Sequence, residues 1–276
     1  MSNNNNPLRQ YFRRPAVYLK LPSCGKGYLP DQVDFPENGE IPVYPMTAID
    51  EITARTPDAL FNGIAVAELV KSCVPSIKDP WQIQSIDLDA VLIAIKAAST
   101  PAGTDIESKC PKCEEEATYG INLIGLLASL TPGDYDTVLD VGELKVKFKP
   151  LRYKEINEAA ISQFEIQKTF ASLERVTDEE EKLKLSKQAL EKITILTMEI
   201  TSKTIEYIET PALRVDNYEF VLDFLKNCDR NQFAAIRDHN TKLKASSDIK
   251  PIDIKCVKCS HEYTQVFTLN PSDFFG

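Results

Sequence analysis

Four of the seven cysteines in this 276-residue chain fall into two CxxC pairs, Cys110/Cys113 and Cys256/Cys259. A CxxC turn aims two thiolates at one centre, and two such turns supply four sulfurs. Four sulfurs around a d¹⁰ cation make a tetrahedral structural zinc site with no open position for water. Cys110, Cys113, Cys256 and Cys259 are therefore the expected Zn²⁺ ligands, in a structural rather than a catalytic role. Four thiolates and one Zn²⁺ sum to a charge of −2, and Lys109, Lys112, Lys255 and Lys258 flank them. Two other readings of the pairs are redox dithiols and plain reduced cysteines. Redox pairs lie at a helix N-terminus after a strand, whereas these lie between strand-like arms. His261 could replace one sulfur, but Glu115 stands at the aligned place in the first pair, so His261 is expected at the surface.

The arms repeat with the cysteines. "IESKCPKCEEEATYGINL" from Ile106 and "IDIKCVKCSHEYTQVFTL" from Ile252 align without gaps at one offset, Cys110 to Cys256. Lys109, Lys112, Glu116, Thr118 and Leu123 match Lys255, Lys258, Glu262, Thr264 and Leu269. Other short matches keep the same order: "GEIPV" at Gly39 with "GELKV" at Gly142, and "LVKSC" ending at Cys73 with "FLKNC" ending at Cys228. The expected fold is α+β: two related β-hairpin/helical halves sharing a four-cysteine zinc ribbon.

Residues 1–15, with four Asn and three Arg, read as a disordered or partner-bound arm. Residues 16–125 read as the N-terminal half with the first knuckle, helical from Thr47 to Ile95 with breaks at Pro57, Pro75 and Pro80. Residues 134–276 read as the C-terminal half with the second knuckle. Within it "DYDTVLDVGELKVKFKPL" alternates as a hairpin turning near Gly142. Residues 154–206 carry an inserted long helical hairpin, bent at "LERVTD". Its second helix would be capped at Thr177 and would present Leu185, Ala189, Ile193, Leu196 and Ile200 as one packing stripe.

The remaining residues offer little chemistry. "PSCGKGYLP" lacks phosphate-loop spacing and reads as a turn. His239 reads as a polar helix end with no nucleophile pattern nearby. Cys24, Cys73 and Cys228 read as isolated, small, apolar-like positions. No paired acid motif stands out, so no enzyme and no small-molecule substrate are expected. The net charge of −9 argues against broad nucleic-acid binding. The start has no apolar signal region, and the most apolar run, "DAVLIAIKAAS", is too short to span a membrane.

"LPSCGKGY", "GEIPVYPMTAIDE", "LVKSCV", "IDLDAVLIAIKAAS" and the CxxC at Cys110, in that order, resemble the baseplate hub and hub-assembly protein family of T-even-type contractile-tailed bacteriophages. Residues 16–125 carry the resemblance. The Asn-rich arm, the second CxxC and the helical insertion depart from the pattern. The resemblance implies a non-enzymatic structural part of the tail baseplate, in its hub or wedge region, whose partners are other baseplate or tail subunits. It implies a late protein assembled in the host cytoplasm and located in the virion. It leaves an alternative, a transient hub-assembly chaperone absent from the virion. A weaker alternative from the cysteines alone is a zinc-ribbon regulator that binds nucleic acid.

Overall fold

The computed structural model describes residues 6–56, 62–100, 103–173 and 178–267. In chain order, β1 (Val17–Leu19) and β2 (Ile41–Val43) precede α1 (Ala48–Ala54), α2 (Ile64–Cys73) and α3 (Ser85–Ser99). Then come β3 (Thr104–Lys109), β4 (Glu116–Ile121), α4 (Leu123–Ser129), β5 (Val138–Val141) and β6 (Leu144–Phe148). Two long helices follow, α5 (Tyr153–Leu173) and α6 (Glu179–Thr204), and then β7 (Ile205–Glu209) and β8 (Arg214–Val215). The chain closes with α7 (Tyr218–Asn227), α8 (Arg230–Ser247), β9 (Ile252–Lys255) and β10 (Glu262–Gln265).

The chain divides into two compact units. The first holds residues 1–80, 87–130 and 249–276, the second residues 81–86 and 131–248. The second knuckle, expected with residues 134–276, thus belongs to the same unit as the first. No helix among the described residues is long and apolar enough to cross a membrane.

The first unit is built on α2 and α3. Val66, Leu69, Val70 and Cys73 of α2 and Val91, Leu92, Ile93 and Ile95 of α3 are buried. The antiparallel pair β1–β2 adds Leu19, Ile41 and Val43 to the buried set. The N-terminal arm is folded from Pro7, where a 3-10 turn runs to Tyr11 under an Asn6 cap. Arg13 then bonds the carbonyls of Pro45 (2.6 Å) and Ser72 (2.9 Å) and pairs with Asp50 (3.2 Å). Asp50 also accepts from the Thr47 backbone N–H and hydroxyl, completing a capping box on α1.

The second unit has one four-stranded antiparallel sheet in the order β5-β6-β7-β8. Its core joins Val146 and Phe148 of β6, Ile205 and Ile208 of β7, Val221 and Leu225 of α7, and Ile236 and Leu243 of α8. The hairpin expected around Gly142 forms as β5–β6, with Gly142 at φ +63°, a backbone region open to glycine. Strands β7 and β8 were not expected. Strand β7 follows α6 without a break, because Thr204 ends the helix and Ile205 begins a run that buries Ile205 and Ile208.

The long helical hairpin forms as α5 and α6. Thr177 lies outside the described residues; Asp178 caps α6, accepting from the N–H groups of Glu180 and Glu181. Of the expected stripe, Ala189 is fully buried, Leu185, Leu196 and Ile200 are half-buried, and Ile193 is exposed.

Candidate metal centre

Each knuckle is a short antiparallel hairpin whose register follows the sequence alignment. Lys109 pairs with Glu116 and Ile106 with Tyr119; Lys255 pairs with Glu262 and Ile252 with Gln265. The two hairpins are separate two-stranded sheets. Their turns are alike bond for bond. The Cys110 N–H donates to the Glu115 carbonyl and the Glu114 N–H to the Cys110 carbonyl, both at 2.9 Å. The Cys256 N–H donates to His261 and the Ser260 N–H to Cys256, again both at 2.9 Å. Glu114 (φ +58°) and Ser260 (φ +56°) hold the same left-handed conformation, which curls each turn back so that both its cysteines face one side.

All four sulfurs lie within 4.8 Å of one another. The cross-hairpin pairs are the close ones, Cys110 Sγ to Cys259 Sγ at 3.7 Å and Cys113 Sγ to Cys256 Sγ at 3.6 Å. None is in a disulfide. Four sulfurs at about 2.3 Å from a central ion would be about 3.8 Å apart; the two cross-hairpin distances are close to that value, and the four sulfurs could hold one ion. Cys110 and Cys256 are buried; Cys113 and Cys259 are half-buried.

The thiols are electrostatically unequal. The backbone N–H groups of Cys259 and Lys258 outweigh desolvation and hold Cys256 down to about 6. At Cys113 a backbone bond from Glu115 works downward, but desolvation and the neighbouring sulfurs push the thiol up to about 12. The two shifts run in opposite directions within one cluster, and thiolate character is favoured at Cys256.

The lysines expected beside the sulfurs bond carboxylates as well. Lys258 crosses between hairpins to Glu115 (2.6 Å), Lys255 meets Glu262 (3.3 Å) and Lys109 meets Glu114 (3.8 Å). Further from the sulfurs, the Tyr263 hydroxyl donates to Ser108 Oγ (3.0 Å), which donates to Gln265 Oε1 (2.9 Å). These links join the hairpins without any ion.

The other singled-out residues stay apart from this cluster. His261 is half-buried and stacks on Tyr263, with ring centroids 6.3 Å apart. Cys73 is buried, and desolvation raises its thiol to about 11, which makes it inert. Cys228 is half-buried and is also pushed up by desolvation. Cys24, expected in an apolar-like position, is exposed in a turn at φ +53°. The "PSCGKGYLP" turn closes on a buried carboxylate: Asp87 accepts from the Ser23 N–H (2.8 Å) and the Tyr28 hydroxyl (2.7 Å). His239 is no polar helix end. It lies inside α8 against Phe148, ring centroids 5.0 Å apart, with Nε2 buried and without a hydrogen-bond partner among the described residues. Sequence reading missed the Arg13–Asp50 anchor, although the Thr47-x-x-Asp50 capping spacing marked one half of it.

A family model described as T4 bacteriophage base plate protein matches residues 31–276. The chain belongs to that baseplate family. The matched span includes the helical insertion and both knuckles of this baseplate protein, well beyond the residues that carried the resemblance. "LPSCGKGY" lies outside it. No curated protein and no solved structure matches. Family membership points to the virion tail and to contacts with other tail proteins.

Proposed function

We propose that this baseplate protein is a non-enzymatic structural component of the contractile tail, in the hub or wedge region, stapled by one structural Zn²⁺. Cys110, Cys113, Cys256 and Cys259 would hold the ion. When bound, it supplies four metal–sulfur bonds and no reactive position. The observation that carries this reading is the sulfur clustering: two pairs far apart in sequence meet within one unit, all four sulfurs within 4.8 Å of one another. The staple closes the chain around residues 131–248, which lie between the two cysteine pairs in sequence. Loop-closure entropy grows slowly with length, so a long folded segment between the ligands is no obstacle.

The reading extends to the architecture. The knuckles form a split zinc ribbon, and the chain consists of two related halves. The element order supports this: β1–β2, α2, α3 and β3–β4 in one half answer β5–β6, α7, α8 and β9–β10 in the other. Gly39 (φ +70°) and Gly142 (φ +63°) open matching strands. The helical hairpin α5–α6 then replaces α1. Arg152 opens α5 as Thr47 opens α1, with the acid three residues on, Glu155 or Asp50, bonding back to the opening N–H (2.7 Å in both).

Peptide counting by mass spectrometry on purified virions tests the role. Stoichiometric peptides of this chain are expected. Their absence from virions, with the protein abundant in infected cells, would replace the structural role with that of a transient assembly factor.

A further inference from the structure

The second long helix carries an apolar seam beside the one it buries. On α6, Leu183, Leu190 and Ile193 are 73%, 56% and 41% exposed. Their spacing of seven and then three is that of a coiled-coil seam, with Ser186 and Thr197 at the positions between and beyond. At about 100° per residue this seam lies to one side of the Ala189 face that packs within the hairpin. Lys182 and Lys187 border it on opposite sides, at the g and e positions. Both are exposed, and among the described residues neither pairs with a carboxylate.

Those lysines decide what can cover the seam. A second copy lying parallel in register would set Lys182 against the other copy's Lys187. An antiparallel copy placing Leu183 opposite Ile193 would set Lys187 beside its own counterpart. Either self-pairing brings like charges together at the positions that select partners. A helix with carboxylates at its e and g positions meets both lysines favourably.

We infer that the Leu183–Leu190–Ile193 seam of α6 docks an amphipathic helix of a different protein, with Leu- or Ile-type residues along its centre and Asp or Glu on both flanks. The inference needs baseplate membership but not presence in the finished virion, because docking during assembly would serve as well. The hairpin then acts as two helices of a three-helix packing, which explains why a two-helix arm keeps large aliphatic side chains in water.

The test places a photoreactive phenylalanine analogue at position 190 in infected cells and sequences the cross-linked peptide. The expected product is one peptide of another phage protein with an apolar heptad stripe bordered by acids. Cross-linking to a second copy of this chain, to a peptide without that pattern, or to nothing overturns the proposal. A double variant, Lys182→Glu with Lys187→Glu, changes only exposed positions. It should keep the wild-type helical signal and melting midpoint while cross-linking at position 190 falls at least about tenfold. Undiminished cross-linking in that variant also overturns it.

Discussion

Single residues set the chemistry of each unit, and His239 sets one response to pH. Its usual pKa is lowered first by burial, then by the Lys242 charge, with Asp134 pulling the other way. A histidine kept neutral by folding contributes fully above its unfolded pKa of about 6.5. That contribution shrinks as pH falls toward the lower folded value and is constant below it. Acidification from pH 7 should therefore weaken residues 131–248 in part through His239. The His239→Leu variant should lose less of its melting midpoint between pH 7 and pH 5.5 than wild type does. An unchanged difference between those two pH values would show that the imidazole does not titrate against the fold. The burial was not legible in the sequence. Arg237, Asp238 and Asn240 make the local stretch polar, and the ring that covers His239 comes from Phe148, on a strand before the helical insertion.

At the scale of elements, short-range patterns transferred well and long-range ones did not. The CxxC turns and the alternation around Gly142 are local, so their hairpins and registers could be read directly. Strands β7 and β8 exist because β6 offers an edge to pair with, a partner that local pattern does not reveal. The same holds for the start of the chain, read from its composition as a disordered or partner-bound arm. Arg13 is received by Asp50 and Ser72, which α1 and α2 bring together. Asp50 is held below its usual range: desolvation opposes this, but the Thr47 bonds, Ser72 and Arg13 outweigh it. Asp50→Ala removes the α1 capping box and the Arg13 counter-ion together. It should cost about 1–2 kcal/mol of stability in chemical denaturation. A loss below about 0.3 kcal/mol would mean that the arm and the cap are not coupled to the fold of their unit.

The whole molecule is a chain whose first unit is completed only by its last described strands. Residues 249–267 return to pack with residues 87–130, and the sulfurs converge where they meet. The four clustered cysteines stood out in the sequence because CxxC spacing is a local signal with few other uses outside oxidising compartments. Their convergence depends on everything between them folding, and only the structure displays it. Structural zinc bound here would make folding of that unit depend on the metal. Elemental analysis of the purified chain, paired with melting before and after a strong chelator, tests this most directly. One zinc per chain is expected, with a loss on chelation of at least about 4 kcal/mol, roughly 10 °C. Cys256→Ser should reproduce that loss and Cys24→Ser should not. Purified protein that carries no zinc and melts identically with chelator would contradict the staple.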